Sequence, residues 1–226
     1  MLKKIKLLSF LLLFVIPTLS NAQERFEPKK TNEEQITIDG VLSPDEWKDA
    51  IPVAIDFEVN PANNLPAKVN STGYITYTNT HLFIAFHAFD DPKNIRASVR
   101  SRDDFGMLND DFVIVRFDTY ADGRNNYLLA ANPFGSQFDV RAINALTDED
   151  RYDGSFNLDF ETAGSPVEDG YQIEFKIPFS SLPFPNGTDQ LWNFNFFRKY
   201  YRDGKEIELR SQPFDRNDPC QVCQTT

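Results

Sequence analysis

Apolar residues recur along this chain in short runs of period two, cut by turn dipeptides about every 8 to 12 residues. Tyr74-Ile75-Thr76-Tyr77 alternates, Asn79-Thr80 turns, and Leu82 to Phe86 reads as a core strand that Asp90-Asp91-Pro92 stops. Phe112 to Phe117 is the clearest buried strand. A turn-rich hairpin with Asp122-Gly123 at its tip follows, and Tyr127 to Ala130 returns. Asn132-Pro133-Phe134-Gly135 turns again before a strand over Gln137 to Ile143. Leu158 to Thr162 and Tyr171 to Ile177 pair around Glu168-Asp169-Gly170. Trp192 to Lys199 is a late strand, with a hairpin through Asp203-Gly204 after it. Asn94 to Arg102 is charged and reads as a loop or a short helix.

Such a pattern of about nine or ten short strands predicts an all-β fold, an antiparallel β-sandwich. Near the N-terminus, Gln35 to Ile38 is β-like and Asp39-Gly40 turns. Ser43-Pro44-Asp45-Glu46 carries the signals of a helix start, with Ser as N-cap, Pro at the first helical position and Glu at the third. One short helix is expected there, with Trp47 as an apolar anchor. The expected core comprises Trp47, Ile75, Phe83, Ile84, Ile114, Val115, Phe117, Ile173, Phe175 and Phe194.

The ends change the picture. Residues 1–22 have the layout of a cleaved export signal: Lys3, Lys4 and Lys6, then an apolar stretch from Leu7 to Leu19, then Ser20-Asn21-Ala22. That apolar stretch is too short to span a bilayer comfortably. Residues 23–34 read as a polar tether, 35–211 as the sandwich and 212–226 as a tail. Export to a periplasm or an outer-membrane-associated site is therefore expected. Losing three lysines moves the formal net charge from −11 to −14. An acidic surface argues against nucleic acid and anionic membranes as partners and is compatible with neutral sugars or cations. Cys220 and Cys223 are the two cysteines; a local disulfide or free thiols is the expectation, since no second CxxC supplies metal partners.

Three segments in order, ITIDGVLSPDEW (Ile36 to Trp47), DFVIVRFDTY (Asp111 to Tyr120) and DGYQIEFKIPFSSL (Asp169 to Leu182), resemble the family 9 carbohydrate-binding modules and their DOMON-like relatives. The resemblance covers roughly Ile36 to Arg210 and implies a jelly-roll sandwich. NDDFVIVRFDTYADGRNNY (Asn109 to Tyr127) followed by NPFGSQFD (Asn132 to Asp139) is similar to a subgroup that precedes an outer-membrane β-barrel of unknown function. In that family another strand follows the segment equivalent to Lys205 to Arg210, so a fragment or an unusually short member is implied.

The resemblance implies an exported, non-catalytic module that binds oligosaccharide or polysaccharide, as in envelope polysaccharide binding or carbohydrate catabolism. Two other readings stand beside it: a periplasmic accessory domain of a β-barrel without sugar affinity, and part of a glycoside hydrolase. The family's tryptophan platforms are absent here; Phe105 and Phe214 are the nearest rings. The expected ligand site is Arg102, Phe105 and Asp139, with Arg141 or Phe214 nearby. The loop over Arg102 to Met107 offers both a ring face and a planar donor to a sugar. The arginines, Arg116 among them, are otherwise expected to pair with neighbouring aspartates such as Asp103, Asp118 and Asp139. Aspartates also cluster in the loops. Because the family includes calcium-bearing members, Asp90, Asp111 and Asp118 are the candidate ligands of a structural Ca²⁺, against solvated turn aspartates as the other reading.

Overall fold

The computed structural model describes residues 26–32, 35–146 and 150–218. Its strands are β1 (Ile51–Ala54), β2 (Phe57–Asn60), β3 (Leu65–Pro66), β4 (Ser71–Tyr77), β5 (His81–Phe89), β6 (Phe112–Asp118), β7 (Asn125–Ala131), β8 (Gln137–Ile143), β9 (Tyr152–Asp153), β10 (Glu161–Val167), β11 (Gly170–Pro178), β12 (Asn193–Arg202) and β13 (Lys205–Arg210). They form two antiparallel sheets. The smaller runs β1-β4-β5-β11-β10 and the larger runs β3-β2-β13-β12-β6-β7-β8-β9. The sheets pack face to face as the expected sandwich.

Period-two alternation decides which residues enter the space between the sheets. Val113, Val115 and Phe117 of β6 face inward, as do Ile173, Phe175 and Ile177 of β11, Ile84 and Phe86 of β5, and Phe194 and Phe196 of β12. The Phe196 ring meets Phe86 across the sheets at a centroid distance of 5.0 Å. It also fills the space over Gly73, where an added Cβ would lie 2.3 Å from the ring. Ile114 departs from the expected core. It is out of phase with its neighbours, so it points to the outer side of the larger sheet, half-buried against two small apolar clusters.

β5 is apolar on both faces, with Phe83 and Ala85 buried as fully as Ile84 and Phe86. A strand covered on both sides reads as a continuous apolar run. Residues 36–50 supply the outer cover: Ile36, Ile38, Leu42, Trp47 and Ala50 pack on Phe83, Ala85 and Tyr74. This strap is pinned by Glu174 of β11, which accepts from the backbone N–H groups of Asp39 (2.9 Å) and Gly40 (2.7 Å) and from Trp47 Nε1 (2.9 Å). Gly40 turns there with φ +87°, and an added Cβ would lie 2.9 Å from the Gly164 backbone.

Two expectations at the N-terminus are corrected. Ile36 to Ile38 forms no strand, because it lies across an outer sheet face rather than beside a free edge, and its branched side chains pack instead of laddering. The expected short helix is one turn, with Glu46 N and Trp47 N both donating to Ser43 O. Burial of Trp47 and entry into β1 at Ile51 leave no room to extend it. Part of the expected tether is also docked: Thr31 N donates to Tyr77 O (2.8 Å), and Phe26 stacks edge-on against Phe194. β1, β2 and β3 have no counterpart among the expected strands. The export signal and the two cysteines lie outside the described residues.

Candidate functional site

Alternation along β8 splits the expected ligand residues between two faces. Asp139 and Arg141 point to the inner side, Phe138 and Val140 to the outer side. Arg102 joins Asp139 on the inner side. Its Nη2 donates to Asp139 Oδ1 (2.6 Å) and to Leu158 O (2.5 Å), and its guanidinium lies 5.1 Å from the centre of Phe160. Asp139 Oδ2 accepts from Leu158 N (2.8 Å). Burial pushes the Asp139 carboxyl up, and the Leu158 N–H and Arg102 pull it back. This pair ties the segment after β9 to the sheet edge and leaves its oxygens engaged. Arg141 is engaged likewise, with Asp153 at 2.8 Å and over the Phe156 ring.

Phe105 and Phe214 lie on the outer side, far apart. Phe105 is 67% exposed and stands edge-on to Phe138 of β8. Phe214 lies under the Arg210 guanidinium of β13, 3.7 Å from its ring centre, and helps to line a cleft of about 500 Å³ with Asn63, Asn64 and Arg216. β13 and β8 are four strand spacings apart, roughly 19 Å. The two rings therefore cannot grip the same sugar unit.

The candidate calcium ligands also fall in separate places. Asp111 and Asp118 stand at opposite ends of β6, roughly 23 Å apart along the strand. Asp118 accepts from Gly123 N (2.7 Å), Tyr120 N (3.3 Å) and Asn193 Nδ2 (3.3 Å), and so closes the turn after its strand. Asp90 is paired with Arg198 (2.7 Å) and with Arg202. Arg198 is fully buried between the rings of Tyr171 and Tyr200. Asp111 is buried near the same two arginines, and burial pushes its carboxyl up to about 6. Two carboxylates facing two guanidiniums make an ion-pair cluster. Among the described residues no group of three or more His, Cys, Asp or Glu is placed to hold a metal. This donor set does not fit a Ca²⁺. His81 and His87 both lie in β5; the latter is 3.0 Å from Asp169.

The outer face of the larger sheet holds a different constellation. Arg116, expected to pair with Asp118, shares a face with it, but Asp118 is spent on its turn. The Arg116 guanidinium instead lies 4.9 Å from the centre of Phe197, and Arg210 lies 4.6 Å from the same ring. Arg116 is 5% exposed, and its Nε and Nη1 have no hydrogen-bond partner among the described residues. Burial, with Arg210 nearby, lowers it to about 10, and Tyr152 and Glu208 oppose that shift. Leu128 of β7 pairs with Arg116, so Asn126 is its diagonal neighbour on the same face. Asn126 is buried, and both of its amide atoms are without partners among the described residues. Arg210 Nε donates to Glu208 (2.6 Å), and its Nη1 is unpartnered. Tyr152, paired with Ala142 in line with Asn126, presents a ring that is 48% exposed. The alternation in Phe112 to Phe117 already places Arg116 out of phase with the core. What it does not show is the Phe197–Arg210–Phe214 stack, supplied by residues about 80 to 100 positions later.

No protein-family model matches the sequence, and no curated protein matches it. Among solved structures, a family 9 carbohydrate-binding module from Caldicellulosiruptor kristjanssonii in complex with glucose is similar, with a TM-score of 0.60 and 16% identity, over 90% of this chain and 93% of that one. The module from that organism in complex with cellotriose gives a TM-score of 0.56 at 16% identity, over 85% and 88% of the two chains. A candidate carbohydrate-binding protein from Bacteroides uniformis gives 0.62 at 15% identity, over 86% and 92%. At these identities the likeness is one of fold, and the fold of this chain is that of the family 9 modules.

Proposed function

We propose that this chain is an exported, non-catalytic carbohydrate-binding module and that it takes its ligand on the outer face of the larger sheet. One observation carries the choice of face. Tyr152 presents there a ring that is 48% exposed, and Arg210 stacks on Phe214 beside a cleft of about 500 Å³ lined with Asn63, Asn64 and Arg216. Sugars offer hydroxyls to planar polar groups and C–H faces to rings. The smaller sheet is the poorer candidate, because the strap already covers β5. The fold likeness to modules seen with glucose and cellotriose supports the same reading. So do the three ordered segments of sequence, which also support a place in the cell envelope among the DOMON-like modules that precede barrels.

Titration calorimetry of the chain from Gln23 onward against a panel of neutral and acidic oligosaccharides tests this. Binding is expected at about 10⁻³ to 10⁻⁴ M, or about 4 to 5.5 kcal/mol. Arg210→Ala and Tyr152→Ala should each weaken it, and Arg102→Ala, if folded, should leave it unchanged. No heat with any saccharide at tens of millimolar overturns the proposal.

A further inference from the structure

We propose that Asn186 is a site of spontaneous covalent modification: it deamidates through a cyclic imide with Gly187 and turns this exposed loop into a mixture of aspartate and isoaspartate. Asn186-Gly187 is the one Asn-Gly pair in the chain. It lies between the single helical turn Phe179–Ser181 and β12, outside every strand, and both residues are exposed. The reaction needs the Gly187 backbone nitrogen to reach the side-chain carbonyl carbon of Asn186. Glycine favours that approach, because it has no Cβ to shield its nitrogen and its backbone moves freely. Among the described residues the Gly187 N–H donates to nothing and the Asn186 amide is unbonded. The loop is held on either side of the reacting peptide unit instead. Gln190 Nε2 donates to Pro185 O and to Gly187 O, both at 3.0 Å. Phe184 packs on Trp192, with ring centres 5.4 Å apart.

The same ring closure is open in principle to Asp-Gly pairs, and the fold hinders it at two of them. Gly40 N donates to Glu174 (2.7 Å) and Gly123 N to Asp118 (2.7 Å). An N–H already held by a carboxylate neither attacks nor loses its proton readily. Asn126 and Asn195 are buried in β7 and β12, where the strand ladder fixes the backbone. At Asn186 the atoms balance without a cofactor. Hydroxide removes the Gly187 amide proton, the nitrogen bonds to Asn186 Cγ, and the Cγ–Nδ2 bond breaks to release ammonia. Water then opens the ring. Attack at Cγ leaves aspartate; attack at the main-chain carbonyl of residue 186 leaves isoaspartate, with the chain running through Cβ and Cγ. Either way the loop gains one negative charge.

The test is incubation of the folded protein at pH 8, with peptide mapping by mass spectrometry over time. Asn186 should lose its amide faster than every other asparagine of the chain and yield isoaspartate as well as aspartate. The loss should be slower at pH 6, where less of the Gly187 amide is deprotonated. Gly187→Ala should slow it at least about tenfold, because a side chain then shields the nitrogen. That variant keeps the fold: its Cβ would meet only Asp189 O and Gln190 Nε2, both at 3.6 Å, which are ordinary contact distances. If Asn186 in the folded protein reacts no faster than the buried Asn126 and Asn195, or if Gly187→Ala reacts at the native rate, the proposal is wrong. Aspartate without isoaspartate would mean direct hydrolysis of the amide and would overturn the imide route equally.

Discussion

Replacing Glu174 with Gln tests how the strap is held. In the native protein one carboxyl group receives three N–H donors: Asp39 and Gly40 on Oε2, Trp47 on Oε1. A glutamine oxygen can take the two backbone donors. Its NH₂ then faces the Trp47 N–H, donor against donor, and a buried donor left unsatisfied costs about 1 to 3 kcal/mol. Burial pushes the Glu174 carboxyl up to about 7, with the three donors opposing. In the unfolded chain a Glu titrates near about 4.3. As pH rises through this window the unfolded state ionises first, so the folded state loses relative stability. The contribution of Glu174 is full below about pH 4, declines through the window and is gone above about pH 7. At 1.36 kcal/mol per unit the whole loss is on the order of 3 kcal/mol. Glutamine does not titrate, so the Glu174→Gln protein lacks this slope. Urea denaturation of both proteins at pH 5 and pH 8 reads the difference, and slopes from the distant Asp111 cancel between them. Glu174→Gln should be less stable at pH 5 by about 1 to 3 kcal/mol and should approach or overtake the native protein at pH 8. A difference that is constant, or that widens toward pH 8, refutes the argument.

Trp47→Ala should destabilise by about 3 to 5 kcal/mol through cavity formation and the lost Glu174 contact, read by the same denaturation; a loss under about 1 kcal/mol would mean that the strap contributes little. Gly73→Ala places a Cβ 2.3 Å from the Phe196 ring, and overpacking of this kind should cost about 1 to 3 kcal/mol; an unchanged urea midpoint would show that the ring moves aside freely. Arg102→Ala leaves the buried Asp139 carboxylate without its cation and should cost about 2 to 3 kcal/mol, below the usual range for a buried pair because Arg102 is part-exposed; equal stability would make that pair a surface contact. Thermal melts with millimolar Ca²⁺ and with chelator should coincide, since Asp90 and Asp118 are engaged by arginines and turn amides; a higher midpoint with Ca²⁺ would reveal a cation site elsewhere.

The two-sheet architecture is legible because period-two runs survive in β4, β5, β6, β11 and β12, where one face meets the core. β1 to β3 are harder to read. They are two to four residues long, and Pro52 and Pro66 sit within them, so no alternation can build up. The strap misleads in the opposite way: Ile36 and Ile38 have β character because they pack, with no ladder behind it. Among the site residues, Arg102 and Asp139 do meet, as an internal tie rather than a ligand pair. A local reading could place both near the central strand but could not decide which side of β8 Asp139 faces relative to Phe105. Arg116 is visible in its strand as a charge in a buried run. That its Nε and Nη1 go without a hydrogen bond depends on Asp118 being spent on a turn, which only three-dimensional neighbours determine.

The strap over β5 also sets an order of events. Its residues are made early in translation, but Glu174 lies 135 residues beyond Asp39 and 127 beyond Trp47. A chain emerging from its N-terminus therefore carries Trp47 exposed, with no acceptor for its N–H, until β11 has been made and paired with β5. Closing so long a loop is entropically costly unless the two sheets are already assembled. The Glu174 tie is thus completed only with the smaller sheet, and a chain stopped before β11 would have only the apolar contacts with β4 and β5 to hold the strap.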